Sequence, residues 1–392
     1  MRLRRCAIVF FESRESVSVD IGSLLVGGDG LTRKRRWLAL AAHLDGEVEV
    51  SAVEREILGE VGPGEWIDDG RLEGYPKEAV KRLLRQGLLI GDDVESAEYR
   101  QHDDTLRSGH WWPMAAVMHR HSRWQAVDSV VAMADSEMTT AVELRARLGA
   151  PPPAVGERGD APSRIPLPRL PANDLDGLLA RRATCRNFDI QRSVPQPLLA
   201  RMLQRALMAH AQVRIQEDTI FLKKYVPSGG GLHPVEAYLI ANRVEGLAPG
   251  LYHYHPIDHA LQPLPSPKQP LEVFSRAALA GQHWFSDAPV IIVLALRFQR
   301  SFWKYRLHAK AYRAGVLDIG HISQMLYLSA TEAGLGAFVT SAINEMEVEQ
   351  AFALDPMQQG VVAICGFGWR AGKMEISEFD PANEVWINDN PD

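Results

Sequence analysis

Three arginines and a hydroxyl fall within the run Arg181-Arg182-Ala183-Thr184-Cys185-Arg186. Guanidinium forks grip phosphate oxygens in pairs and Thr184 adds a donor between them, so the segment can hold an anion. Read alone, such a segment is more often a solvated helix end. A second stretch is Val226-Pro227-Ser228-Gly229-Gly230-Gly231-Leu232-His233-Pro234. Consecutive glycines cost backbone entropy and recur where a backbone approaches a ligand closely. With Ser228 as a side-chain donor they can face a planar ligand, or simply turn the chain into the strand-like Val235 to Ala241. No Gly-Lys-Ser/Thr follows, which excludes a phosphate-binding P-loop. The third stretch is Trp303-Lys304-Tyr305-Arg306. Burial, or the cations Arg306 and Lys310, would lower the Lys304 pKa and make it a base, with Tyr305 donating or relaying the proton. The plainer alternative is a surface lysine beside a packed tyrosine.

These residues need a scaffold, and the pattern supplies one. A short helix around Leu178–Ala180 runs out into the arginine segment. A long helix, Gly315 to Ala333, is apolar on most of its circumference and predicts a nearly fully buried element, stopped by Gly334 and Gly336. Seven prolines between Pro151 and Pro171 predict an extended linker. Before it, Cys6 to Phe11 reads as a strand, Arg36 to Leu44 as a helix, Val48 to Gly59 as a helix starting near Ser51, and Pro76 to Gln86 as another. Gly87 to Ile90 then closes a short strand. That order predicts a winged-helix-like domain over residues 1–100, with residues 101–150 a helical connecting region that starts at Trp111-Trp112-Pro113. Arg33-Lys34-Arg35-Arg36 reads as a solvated helix start.

Composition narrows the field. At 46% hydrophobic and 23% charged, the 392 residues suit a soluble globular chain of two or three domains. No apolar run approaches the ~20 residues of a membrane span, and Cys6 to Phe11 is too short for a secretory signal. Cys6, Cys185 and Cys365 lie far apart, against zinc or a disulfide framework, and the expected location is the cytoplasm. Residues 1–160 hold 21 Lys/Arg and 27 Asp/Glu, whereas residues 161–392 hold 22 of each. That balance argues against nucleic acid and favours the N-terminal domain as a peptide clamp that adds a strand at an exposed edge. Two motifs are decoys. Gly366-Phe367-Gly368-Trp369-Arg370-Ala371 lacks the βα unit a dinucleotide site requires. His253, His255 and His259 have metal-like spacing, but a β-hairpin with Tyr252 and Tyr254 packed inward accounts for them.

Taken in order, the arginine segment, Pro-Ser-Gly-Gly-Gly-Leu-His-Pro-Val-Glu, Gly250-Leu251-Tyr252-His253-Tyr254, Gly320-His321-Ile322-Ser323-Gln324, Leu326-Tyr327-Leu328 and Gly334-Leu335-Gly336 resemble the SagB-type dehydrogenases. These are a branch of the flavin-dependent nitroreductase superfamily that matures ribosomal peptides. The resemblance implies an α+β fold over residues 172–392, with a mostly antiparallel sheet flanked by helices. It implies FMN, whose phosphate and ribityl chain fall to Arg182, Thr184 and Arg186, with Arg370 as a further phosphate contact. Pro227, Ser228, Gly229 and Gly230 would line the flavin ring, and Lys304 and Tyr305 match a Lys-Tyr pair implicated in proton removal by azoline oxidases. It further implies a precursor peptide as substrate, other peptide-modifying enzymes as partners, and a homodimer. Where the family carries a Gly-Gly-Phe-type turn, this chain has Val339 to Asn344, so flavin contacts there are open. Azoline oxidation to azoles is the expected activity. The alternatives are flavin-dependent reduction of a dehydroamino acid or a nitro or quinone compound, and a non-catalytic peptide-binding scaffold.

Overall fold

The structure is a computed structural model that describes residues 1–159 and 164–386. The chain divides into two compact units. One comprises Met1–Arg123, Arg297–Ala314 and Asp355–Gly360, the other Trp124–Leu296, Gly315–Leu354 and Val361–Asp392.

In the first unit, β1 (Arg2–Arg5) and β2 (Val9–Val19) replace the single strand expected at Cys6 to Phe11. The chain changes sheets between them, where the Ala7 N–H donates to the Asp103 carboxylate at 2.6 Å. Helix α1 (Ile21–Leu25) tips a long hairpin that returns as β3 (Leu31–Ala41). The helix expected over Arg36 to Leu44 is therefore strand as far as Ala41, with Arg33, Lys34 and Arg35 exposed on it and Arg36 half-buried. A nine-residue apolar run is ambiguous in period. Pairing decides it, since β2 and β3 match from Val9↔Ala41 to Val19↔Leu31. After β4 (Val48–Glu49), α2 (Ala52–Glu60) begins at a capping box in which Ser51 and Glu54 satisfy each other's N–H. Then come β5 (Ile67–Asp68), α3 (Lys77–Arg85) and β6 (Leu89–Gly91). The sheet order β5-β1-β6 and two helices stand, but the winged-helix pattern lacks its first helix, because the hairpin takes that place. Helices α4 (Ala97–Ser108) and α5 (Pro113–His121) follow.

The second unit opens with α6 (Ser129–Asp135), α7 (Ala141–Leu148), α8 (Asp174–Ala180) and α9 (Gln196–Ala206). Residues 151–159 and 164–173 carry no regular structure; Pro162, counted in the expected linker, lies outside the described residues. The hairpin β7 (Ala211–Gln216) and β8 (Thr219–Lys223) leads into the Pro-Ser-Gly loop. Then follow β9 (Val235–Ala241), β10 (Gly250–His255), β11 (Ala260–Pro263), α10 (Leu271–Ala278), α11 (His283–Ser286), β12 (Val290–Arg297), α12 (Phe298–Lys304), α13 (Lys310–Glu332), β13 (Gly336–Thr340), α14 (Glu345–Ala351) and β14 (Gln359–Gly368). Six of these strands form one sheet, ordered β11-β10-β9-β12-β14-β13. The pairs β10–β11, β9–β10, β9–β12 and β13–β14 are all antiparallel, as expected. The central strand β12 is the core: Val290 through Leu296 are at most 1% exposed. Gly366-Phe367-Gly368 ends β14, and Tyr252 and Tyr254 pack inward from the β10–β11 hairpin.

Helix α13 positions the site. It ends at Gly334, whose φ of +71° lets the Leu335 N–H reach back to the Ala330 carbonyl at 2.8 Å. The helix is not nearly fully buried: Val316, Leu317, Gly320 and Gln324 form an exposed stripe in the single chain. No helix among the described residues is long and apolar enough to cross a membrane.

Candidate active site

The arginine segment leaves α8 as extended chain and docks on the edge of the main sheet. Thr184 forms a parallel bridge with Ala337 of β13, and the Cys185 N–H donates to the Ala337 carbonyl at 2.8 Å. Close approach demands Gly336, since a Cβ there would sit 2.5 Å from the Cys185 side chain. Alternation along the extended segment then sorts the residues. Ala183, Cys185 and Asn187 are buried, while Arg182, Thr184 and Arg186 are half-exposed. Tyr327 of α13 organises this group. Its hydroxyl shares a 2.9 Å hydrogen bond with Thr184 and accepts the Val339 N–H at 3.1 Å. The Arg182 guanidinium lies 5.3 Å from its ring centre. Burial raises the Tyr327 pKa, so the phenol stays a neutral donor.

The Pro-Ser-Gly loop is fastened to the same helix by Asp318, which sequence reasoning missed. The Ser228 hydroxyl donates to one carboxylate oxygen at 2.5 Å, and the Gly229 N–H donates to the other at 3.0 Å. His321 donates from Nδ1 to the Pro227 carbonyl at 3.2 Å, and the His233 N–H donates to Ser228 Oγ at 2.9 Å. Gly230 and Gly231 take φ of +67° and +69°, which glycine alone adopts freely. Asp318 is 3% exposed, and burial raises its pKa against the opposing hydrogen bonds from Ser228 and Gly229.

Beneath the loop lies a second missed residue. Lys224 is 4% exposed and lines a small cavity with Pro227, His233 and Asp318. Burial lowers its pKa to about 8 against the pull of Glu236 and Asp318. The unfolded chain therefore binds the extra proton between about 8 and 10.5, and Lys224 makes stability rise with pH across that window. Lys224→Met should abolish that rise and raise the melting temperature at pH 7. The cost relieved is on the order of 3 kcal/mol, measurable by thermal melts from pH 7 to 10.

Asp318 and Tyr327 are nine residues apart on α13, which sets them about 14 Å apart along the axis and on opposite faces. The helix thus carries the arginine segment on one face and the glycine loop on the other. The remaining expected residues sit elsewhere. Arg370 is 2.5 Å from Glu378 and also donates to the Ala183 carbonyl at 3.1 Å, behind the arginine segment. Lys304 and Tyr305 belong to the first unit, at the end of α12, with the Lys304 ammonium 5.5 Å from the Tyr305 ring centre. They are placed by aromatic packing, since Phe298 and Phe302 lie 4.3 and 4.8 Å from the buried Trp111. Lys304 is exposed, so the burial expected to activate it is not found in the single chain. Val339 to Asn344, in place of the Gly-Gly-Phe-type turn, completes β13 and anchors locally: Thr340 donates to Gln282 at 3.3 Å.

The donor set suits a phosphorylated flavin. Two half-exposed guanidinium groups flank a hydroxyl, and a Cβ at Gly231 would meet nothing within 4 Å, so the loop leaves room for a planar group. The comparison that decides the family is that residues 179–369 match the Nitroreductase family. This part of the chain is a nitroreductase-family domain. A "putative nitroreductase" of Methanocaldococcus jannaschii is 28% identical over 47% of this chain and 87% of its own length. The trifolitoxin-processing protein TfxB of Rhizobium leguminosarum bv. trifolii is 31% identical over 36% of this chain and 38% of its own. The microcin B17-processing protein McbC of Escherichia coli is 26% identical over 38% of this chain and 54% of its own. The resemblance to peptide-maturation dehydrogenases is borne out by the last two, although this chain spans only about a third to a half of each. Among solved structures, a chain of the E. coli microcin synthetase McbBCD complex with truncated pro-MccB17 aligns at 18% identity and a TM-score of 0.46. The alignment covers 68% of this chain and 92% of that one, too loose a likeness to add to the domain match.

Proposed function

We propose that the protein is an FMN-dependent dehydrogenase that oxidises azoline rings of a ribosomally made peptide to azoles. The observation that supports this is that α13 fastens both segments assigned to the flavin: Tyr327 meets Arg182 and Thr184, and Asp318 holds Ser228 and Gly229. Arg182, Thr184 and Arg186 bind the phosphate and ribityl oxygens, and Pro227 to Gly230 line the ring. Arg370 supports the phosphate segment from behind. When bound, the flavin supplies a hydride acceptor. The chain supplies the base: Lys304 takes the proton leaving the azoline ring, and Tyr305 relays it.

Because the two halves lie on opposite faces of α13, a second copy of the chain completes each site, its own loop face meeting the arginine face of the first. The exposed stripe with Val316 (44% exposed) and Leu317 (63%) is the surface such a homodimer would cover. Leu317→Arg is expected to give a monomer by light scattering that has lost its flavin.

Residues 1–100 act in this scheme as a peptide-recognising domain in front of the catalytic domain at 172–392. The clamp edge would be β2, which pairs on one side only. The alternative edge, β6, is buried and closed by Arg100, which donates to the Gly91 carbonyl at 2.6 Å.

Mass spectrometry of a peptide incubated with the protein tests the reaction. Oxidation removes two hydrogens, and a gain of two hydrogens would instead identify a reductase.

A further inference from the structure

The chain past residue 369, beyond the nitroreductase match, folds back over the arginine segment as a strap that ends at Trp386 among the described residues. Its attachment is unusual. Phe379 is 85% exposed and Met374 39% exposed, whereas the one buried residue between 372 and 386 is an acid, Glu378. Apolar burial does not hold this strap; a carboxylate does.

The Glu378 side chain is fully buried, which is costly for a charge unless its lone pairs are all used. They are. One oxygen accepts the backbone N–H of Arg186 at 2.5 Å, the N–H of Asn187 at 3.0 Å and the Asn187 side-chain amide at 2.9 Å. The other accepts from Arg370 at 2.5 Å and from the Trp386 indole at 2.8 Å. Burial pushes its pKa up, but these donors outweigh burial and hold it below the usual carboxylate range. Asn187 grips the strap in return: its side-chain Oδ1 accepts the N–H groups of Glu375 and Ile376, both at 2.8 Å. Arg186 also donates from its side chain to the Ser377 carbonyl at 3.3 Å.

We infer that Glu378 is a positioning residue for the flavin phosphate: its carboxylate fixes the backbone of Arg186 and Asn187, and so aims Arg182, Thr184 and Arg186. This rests on the flavin reading above. Arg370 then acts on the phosphate segment through Glu378, by cancelling its charge, and through the Ala183 carbonyl.

Comparing FMN with riboflavin separates positioning of the phosphate segment from general support of the fold. In the full chain, Glu378→Ala should weaken FMN binding about tenfold or more, the range for losing hydrogen bonds to a charged group. Its affinity for riboflavin, which has no phosphate and meets the segment only through its ribityl oxygens, should fall less. Glu378→Gln should weaken FMN binding less, since one oxygen still accepts the two backbone N–H groups. Trp386→Phe, which removes one donor and keeps the ring, should shift it the same way and serves if the alanine variant does not fold. Equal losses for both ligands, or no loss for either, would overturn the inference. A wild-type protein that binds neither ligand would overturn the flavin reading and this inference with it.

Discussion

Lys304→Ala is expected to keep its flavin and lose about 10²–10⁴-fold in peptide oxidation, the range for removing a general base. The division of the chain explains the split. Every residue assigned to the flavin lies in the second unit, whereas Lys304 and Tyr305 lie in the first. They are set there by Phe298 and Phe302 against Trp111, a packing that the substitution leaves alone. Flavin retention is read from the visible spectrum and turnover from the mass of the product. Unchanged turnover would remove Lys304 from the mechanism. So would simultaneous loss of the flavin, which would make the lysine a structural group.

The second large effect belongs to Asp318. Its carboxylate is the acceptor for both Ser228 and Gly229 and is nearly fully buried. Asp318→Ala leaves those donors unpaired and removes a negative charge from beside the buried Lys224. Losing a buried, charged hydrogen-bond partner costs roughly 2–4 kcal/mol. The loop beneath also carries three adjacent glycines, so nothing intrinsic would hold Gly230 and Gly231 in place. A lower melting temperature and a loss of flavin affinity of at least about tenfold are expected. Asp318→Asn, which keeps one oxygen acceptor, should fall between the two. Calorimetry of flavin binding checks the series, and an Asp318→Ala protein that binds flavin like wild type would contradict the account of the loop.

Features set by local pattern were legible from the sequence. The helix stop at Gly334, the Ser51 cap, the β10–β11 hairpin and the α+β alternation all depend on neighbours a few residues apart. What the pattern could not reach were the partners. Thr184 finds Tyr327 across 143 residues, Ser228 finds Asp318 across 90, and Arg186 finds Glu378 across 192. Tyr327 stood within the motif series, but nothing in its spacing assigned it the task of holding Thr184. Lys224 was overlooked beside Lys304, although it opens a second Lys-Tyr pair directly before the loop, because burial is a property of packing. The helix expected at Arg36 to Leu44 failed for a related reason. Its short apolar run fits either period, and the long partner β2 decides the outcome.

The central claim is that this chain binds FMN through two half-sites fastened to opposite faces of α13, each completed by the other half from a second copy. The absorption spectrum of the purified protein, taken before and after incubation with FMN, tests it most directly. The account predicts flavin bands that remain with the protein after desalting, from a cofactor that proves on release to be FMN. A protein that is colourless as purified and takes up no added FMN would contradict it and favour a peptide-binding scaffold.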